Sequence, residues 1–181
     1  MQSKRYALVA YVRSEAGEFA ERLARELHPQ SVHLSAHLTI LPPRTLPGSE
    51  ASALRWIEDV CGHAASFEVT LGEVETFLPT TPTVYIRVTQ SAAQMADLHK
   101  RLNIGALAFR EEWPYVPHLT IAKLDLESEA HAAFEMAKHR WAQYHGSRTV
   151  QLDQLTFVRE ESHNHWIDLA PIPLGPSLVS R

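Results

Sequence analysis

Over residues 6–12 apolar side chains cluster as in a buried strand, and from Glu15 the pattern changes to helical spacing, with Phe19, Leu23 and Leu27 on one stripe. Ser14 is placed to cap that helix and Pro29 to end it. A long alternation follows, with Val32, Leu34, Ala36, Leu38 and Ile40 on one face of a strand and His33, Ser35, His37 and Thr39 on the other. Residues 49–61 return to helical spacing, turning Leu54, Ile57, Val60 and Cys61 inward before a stop at Gly62. Phe67, Val69 and Leu71 then open a strand in which Gly72 predicts a bulge.

The same order returns from Val84 onward. Val84, Ile86 and Val88 alternate in a strand, and a helix starting at Ala92 carries Met95, Leu98 and Leu102, with Ser91 and Gln94 at capping-box spacing. After a second polar-apolar strand comes a helix bearing Ala130, Ala133, Phe134, Ala137 and Trp141, closed by Gly146, and a strand through Val150 and Leu152. Each half therefore reads strand, helix, strand, helix, strand, a self-similarity that predicts two pseudo-symmetric lobes. Residues 155–158 and 166–169 add a terminal hairpin, and Pro171, Pro173 and Pro176 mark an irregular end. No Pro- or Gly-rich linker divides the halves, so residues 1–181 are expected to form one α+β domain with halves of roughly 1–80 and 81–181.

The central strand of each half holds the same tetrapeptide, His37-Leu38-Thr39-Ile40 and His118-Leu119-Thr120-Ile121. Strand geometry puts each His and its Thr on one face and the Leu and Ile on the other. If the two strands lie side by side about an approximate two-fold axis, the imidazoles face each other across a groove. Imidazole titrates near neutrality, so such a pair supplies both the base and the acid that in-line displacement at phosphorus needs, while Thr39 and Thr120 donate to the equatorial oxygens. That chemistry asks for no metal and no cofactor.

Composition narrows the partners. The apolar content is 45%, the charged content 21% and the net charge −4, with no run of Lys or Arg. A soluble protein meeting a nucleotide or an RNA end fits this better than one tracking a long duplex. The first apolar run is too short for a membrane span and lacks a small-residue cleavage site, and Cys61 has no second cysteine to pair with. The expectation is a cytoplasmic monomer without membrane or protein partner. Of the eleven histidines, His28, His99, His131, His139 and His145 fall on or beside helices and read as surface or hydrogen-bonded residues. His33 shares parity with His37 and is a candidate border of the groove, with a plain exposed role favoured. His163 and His165 bracket Asn164 in a turn, where a solvated hairpin tip is favoured over a metal pair. Tyr85 and Phe157 suit either base stacking or the core.

With its two H-x-T motifs some eighty residues apart, the chain resembles the 2H phosphoesterase superfamily. His-Leu-Thr-Ile-Leu-Pro-Pro-Arg at 37–44, Pro-His-Leu-Thr-Ile-Ala-Lys at 117–123 and a closing Trp-Ile-Asp-Leu with a later Pro-Leu-Gly resemble its 2'-5' RNA ligase, LigT-like branch. The resemblance implies a bilobal α+β fold with central antiparallel sheets lining a groove and helices outside. It also implies a metal-free phosphodiesterase that opens 2',3'-cyclic phosphates or 2'-5' linkages of RNA ends or small nucleotides, with reversible 2'-5' ligation in some members. His37 would be the acid and His118 the base. The basic residue after the second motif, often Arg in the family, is Lys123, which strict alternation turns to the Leu119 face, away from His118. Arg44 follows a Pro pair that breaks the alternation and is a weaker candidate for substrate binding. Two rival readings keep the same residues: a cyclic phosphodiesterase for a non-RNA metabolite, and an RNA-binding module without turnover.

Overall fold

The computed structural model describes residues 3–31 and 34–175, so the readings of Val32, His33 and Pro176 lie outside the described residues. The element order is β1 (Tyr6–Tyr11), α1 (Glu15–Leu27), β2 (His37–Arg44), α2 (Glu50–Gly62), β3 (Phe67–Thr76), β4 (Thr83–Val88), α3 (Ala92–Leu102), a 3-10 turn at Gly105–Leu107, β5 (His118–Lys123), α4 (Glu127–Ala142), β6 (Thr149–Leu152), β7 (Gln154–Ser162) and β8 (His165–Pro173). This is the α+β order expected from the periodicities, including the closing hairpin, except that β8 runs on through Pro171 and Pro173, which pair with Thr156 and Gln154 instead of marking an irregular end.

The strands form one antiparallel sheet in the order β6-β3-β4-β5-β2-β1-β7-β8. Its midline is the β2–β5 pair, joined at Leu38 and Leu119. On either side the strands exchange. β3 crosses to pair with β4 and β6, and β7 returns from the C-terminal end to pair with β1. Helices cross the midline too, since α1 packs on β5 and α3 on β2, while α4 lies on β3 and β4 and α2 on β8.

One face of the sheet is therefore dry. Leu8, Ala10 and Val12 of β1 and its exit, Leu38, Ile40 and Leu41 of β2, Leu119, Ile121 and Ala122 of β5, and Val84, Ile86 and Val88 of β4 join helix residues such as Leu23, Ile57, Met95 and Trp141 in a single core. Burial of this apolar surface is the main favourable term for the fold. The opposite face carries a small second cluster, Ala7, Val9 and Val158, edged by Tyr11 and Trp166.

Local details depart from the simplest reading. Ser14 does precede α1, but its hydroxyl makes no capping bond. Ser91 precedes α3 in the left-handed region, with φ of 64°, and makes no side-chain cap either. A capping hydroxyl needs an extended backbone to point back along the helix, so the expected capping box is not formed. α2 runs through Gly62 rather than stopping before it. α4 ends at Ala142, ahead of Gly146, where the Arg148 guanidinium donates to the Trp141 carbonyl at 2.9 Å and lies over the Trp141 ring. The bulge expected at Gly72 is present as a register shift between Leu71 and Val74. Among the described residues no helix is long and apolar enough to cross a membrane.

Candidate active site

The two motif strands meet at the midline of the sheet, and their register fixes the site. Leu38 opposes Leu119 in an antiparallel pair, so on the other face His37 neighbours Thr120 and Thr39 neighbours His118. The four side chains mark the corners of a rectangle, with the two imidazoles on one diagonal and the two hydroxyls on the other. All four are half-buried.

Each imidazole is held in the same way. His37 Nδ1 lies 2.7 Å from the Ser35 carbonyl, and His118 Nδ1 lies 2.5 Å from the Val116 carbonyl. A carbonyl only accepts, so Nδ1 donates in both cases and Nε2 is left for chemistry. Burial lowers the pKa of both histidines; the backbone carbonyls partly oppose this, and the Lys123 cation adds to it. His118 also feels His37. These surroundings favour the neutral form of both imidazoles.

Lys123 corrects the reading from strict alternation. In both motif strands one residue is extra: β1 pairs Leu8 with Leu41 and Val9 with Thr39, and β4 pairs Val84 with Ala122 and Tyr85 with Thr120. These twin bulges turn Ile40 and Leu41, and likewise Ile121 and Ala122, into the same core. The phase of β5 is thereby reset, and Lys123 pairs with Thr83 on the face of Tyr85 and the histidines. Lys123 keeps contact with solvent, yet the protein around its ammonium group, more than the neighbouring Arg5, lowers its pKa. No sequence signal marks the bulge, although its repetition after each Ile is visible once the structure is known.

Arg44 takes the opposite correction. A second register shift at the Pro42-Pro43 step pairs Arg44 with Tyr6 on the helix-covered face, where it is 1% exposed. Its donors go to the carbonyls of Pro42 and Leu107, the Asn103 amide oxygen and the Glu111 carboxylate. Its guanidinium is thus engaged on the helix-covered face, away from the histidines.

An aromatic wall stands beside His118. Phe77 stacks on Tyr85 with ring centroids 4.0 Å apart, and both rings meet His118 edge-on at 5.0 and 5.2 Å. Tyr85 is 5% exposed and covered by Phe77, so it stacks on protein rather than on a base. Burial pushes its phenol up to about 12, which keeps it a donor to Glu75. Phe157 belongs to the core and stacks on Tyr6. On the His37 side the Tyr11 hydroxyl donates to Asp168, and Tyr11 pairs with His37 in register. His163 and Asn164 form the turn between β7 and β8, which β8 opens with His165. Among the described residues no group of three or more His, Cys, Asp or Glu is placed to hold a metal ion.

The chain is similar to known proteins in sequence and in fold. A protein of Oceanobacillus iheyensis named "Putative phosphoesterase" is 27% identical over 128 residues, 69% of this chain and 73% of its own. A Bacillus cytotoxicus protein of the same name is 24% identical over 143 residues, 78% and 81% of the two chains. In fold, E. coli LigT in its apo form superposes with a TM-score of 0.64 at 16% identity, covering 97% of this chain and 99% of LigT. LigT complexed with 3'-AMP superposes with a TM-score of 0.60 at 14% identity, covering 96% and 99%. Since the model of the 2'-5' RNA ligase superfamily matches residues 12–164, the chain belongs to that superfamily, the 2H phosphoesterases.

Proposed function

We propose that the protein is a metal-independent phosphodiesterase acting on 2',3'-cyclic phosphates, or on 2'-5' linkages, of RNA ends or small nucleotides. The observation that carries this reading is the rectangle of His37, Thr39, His118 and Thr120 at the sheet midline, with each Nε2 free. Diagonal imidazoles suit the opposite apices of an in-line displacement. His118 takes a proton from water as its oxygen bonds to phosphorus, and His37 gives a proton to the ribose oxygen whose bond to phosphorus breaks. One water is added, and the product is a phosphomonoester. Thr39 and Thr120 donate to the non-bridging oxygens, and the Lys123 ammonium adds a point charge. With an RNA 5'-hydroxyl in place of water the same roles apply: His118 takes the proton of that hydroxyl as its oxygen bonds to phosphorus, His37 protonates the ribose 3'-oxygen whose bond to phosphorus breaks, and a 2'-5' linkage results. E. coli LigT, which shares the fold, binds 3'-AMP in one of its crystal structures, and this supports a nucleotide as substrate.

The test is a panel of 2',3'-cyclic mononucleotides, RNA ending in a cyclic phosphate and 2'-5' dinucleotides, offered to the purified protein with and without EDTA. Turnover of at least one, unchanged by the chelator, is expected. Activity lost in EDTA and restored by Mg²⁺, Mn²⁺ or Zn²⁺ refutes the two-histidine mechanism. No turnover of any member favours a non-RNA metabolite or a silent binding module.

A further inference from the structure

We infer that the buried network of Arg44, Glu111, His99 and Tyr115 is a positioning device that fixes His118 against Thr39; this rests on the reading of those two residues as parts of the active site.

The network is continuous. Arg44, on the helix face, donates Nε to Pro42 at 3.0 Å and Nη1 to Asn103 at 2.6 Å and to Leu107 at 3.0 Å. Its other terminal nitrogen meets one oxygen of Glu111, and its guanidinium carbon lies 5.5 Å from the centroid of the Phe109 ring. The second Glu111 oxygen faces His99 Nε2 at 2.9 Å. His99 Nδ1 donates to the Ile40 carbonyl at 2.7 Å. The His99 ring lies flat on Tyr115, centroids 4.0 Å apart and planes within 1°. Finally the Tyr115 hydroxyl donates to the Thr39 carbonyl at 2.8 Å. The chain thus ends on two successive carbonyls of the first motif strand, at its bulge.

Its other end reaches the second motif. Tyr115 precedes Val116, whose carbonyl orients His118, and the Pro117 carbonyl accepts from Val88 N at 3.2 Å. Residues 103–117 hold only the short 3-10 turn at Gly105–Leu107, so nothing regular leads into His118. His37 has a simpler support: Ala36 N donates to Glu21 at 2.8 Å and Ala36 O accepts from Val12 N at 2.9 Å. The irregular approach to His118 is where an error of an ångström would enter, and the network removes it by tying that approach to the neighbouring strand. Stability alone is a poor reason for it, because well-packed apolar residues often replace a buried ion pair at no cost.

Tyr115→Phe is the sharpest test, since it keeps the ring on His99 and removes only the bond to Thr39. For the positioning role, kcat on a cyclic phosphate falls on the order of ten- to a hundredfold with KM changed little. The ring ¹⁵N resonances of His118 shift or broaden in this variant and in Glu111→Gln, while those of His37 hold still. Arg44→Lys, which keeps charge but not the fork, shows the same pattern in milder form. If kcat and KM per folded molecule and the His118 resonances all match the wild type, with only the melting temperature lowered, the network is structural and the inference is overturned. The resonances report on positioning even if wild type turns over no cyclic phosphate, which separates this failure from that of the proposed function.

Discussion

At the scale of single residues, the site predicts that His37 and His118 act as one unit. His37→Ala and His118→Ala should each lower kcat on the order of a hundred- to ten-thousandfold, with the double variant scarcely worse than either single. Thr39→Ala and Thr120→Ala remove one donor each and should cost on the order of ten- to a thousandfold. Additive histidine losses, or threonine variants with normal turnover, would break the four-residue site. The pH profile carries a second prediction. Burial and Lys123 lower both imidazole pKa values, so the limb that needs a neutral base and the limb that needs a protonated acid both lie lower than for free histidine. The optimum of kcat/KM should therefore fall on the acid side of about 6.5. Lys123→Gln removes a charge that disfavours imidazolium, which raises both pKa values and moves both limbs to higher pH, whatever happens to the absolute rate. Limbs that stay put would show that Lys123 does not face the histidines.

The elements show which parts of this could be read from the chain. α1 was legible to the residue because Phe19, Leu23 and Leu27 repeat at helical spacing between Ser14 and Pro29. The motif strands were legible because His37-Leu38-Thr39-Ile40 recurs at His118. What the pattern hid were the bulges after Ile40 and Ile121, since Leu41 and Ala122 are apolar and read equally well on either face. That one residue per strand misplaced Lys123. The Pro42-Pro43 step left the direction of Arg44 open, and only its pairing with Tyr6 settles it. Gly17 interrupts no stripe of α1 and so carries no signal in the pattern, yet a Cβ there would lie 1.8 Å from the Val12 carbonyl oxygen. Gly17→Ala must push α1 off the end of β1 and should cost about 1–3 kcal/mol. Thermal unfolding checks this: a melting temperature lower by several degrees is expected, and an unchanged one would mean that the helix is not seated so closely.

For the whole molecule, sheet order decides how the protein comes apart. Sequence similarity divides the chain near residue 80, but the pairing does not follow that division. β3, from the first half, has β4 and β6 as its neighbours, and β7, from the second, covers β1. A fragment of residues 1–80 would keep β3 without either partner and β1 without β7. Its α1 would lack β5, on which it packs. The complementary fragment would hold β4 and β6 with nothing between them and the β7–β8 hairpin without β1. Each piece would expose the apolar face that the single core now buries, and neither gains enough burial to offset its chain entropy. The intact chain should accordingly unfold in one cooperative transition, with calorimetric and van't Hoff enthalpies equal and tryptophan fluorescence coincident with far-ultraviolet circular dichroism. Each fragment alone should show no cooperative melt, and mixing the two should restore one if the exchanged strands can still find their partners. Two separate transitions in the intact chain, or a fragment that melts cooperatively by itself, would mean that the repeated halves are independent units after all and that the exchange of β3 and β7 is not what binds them together.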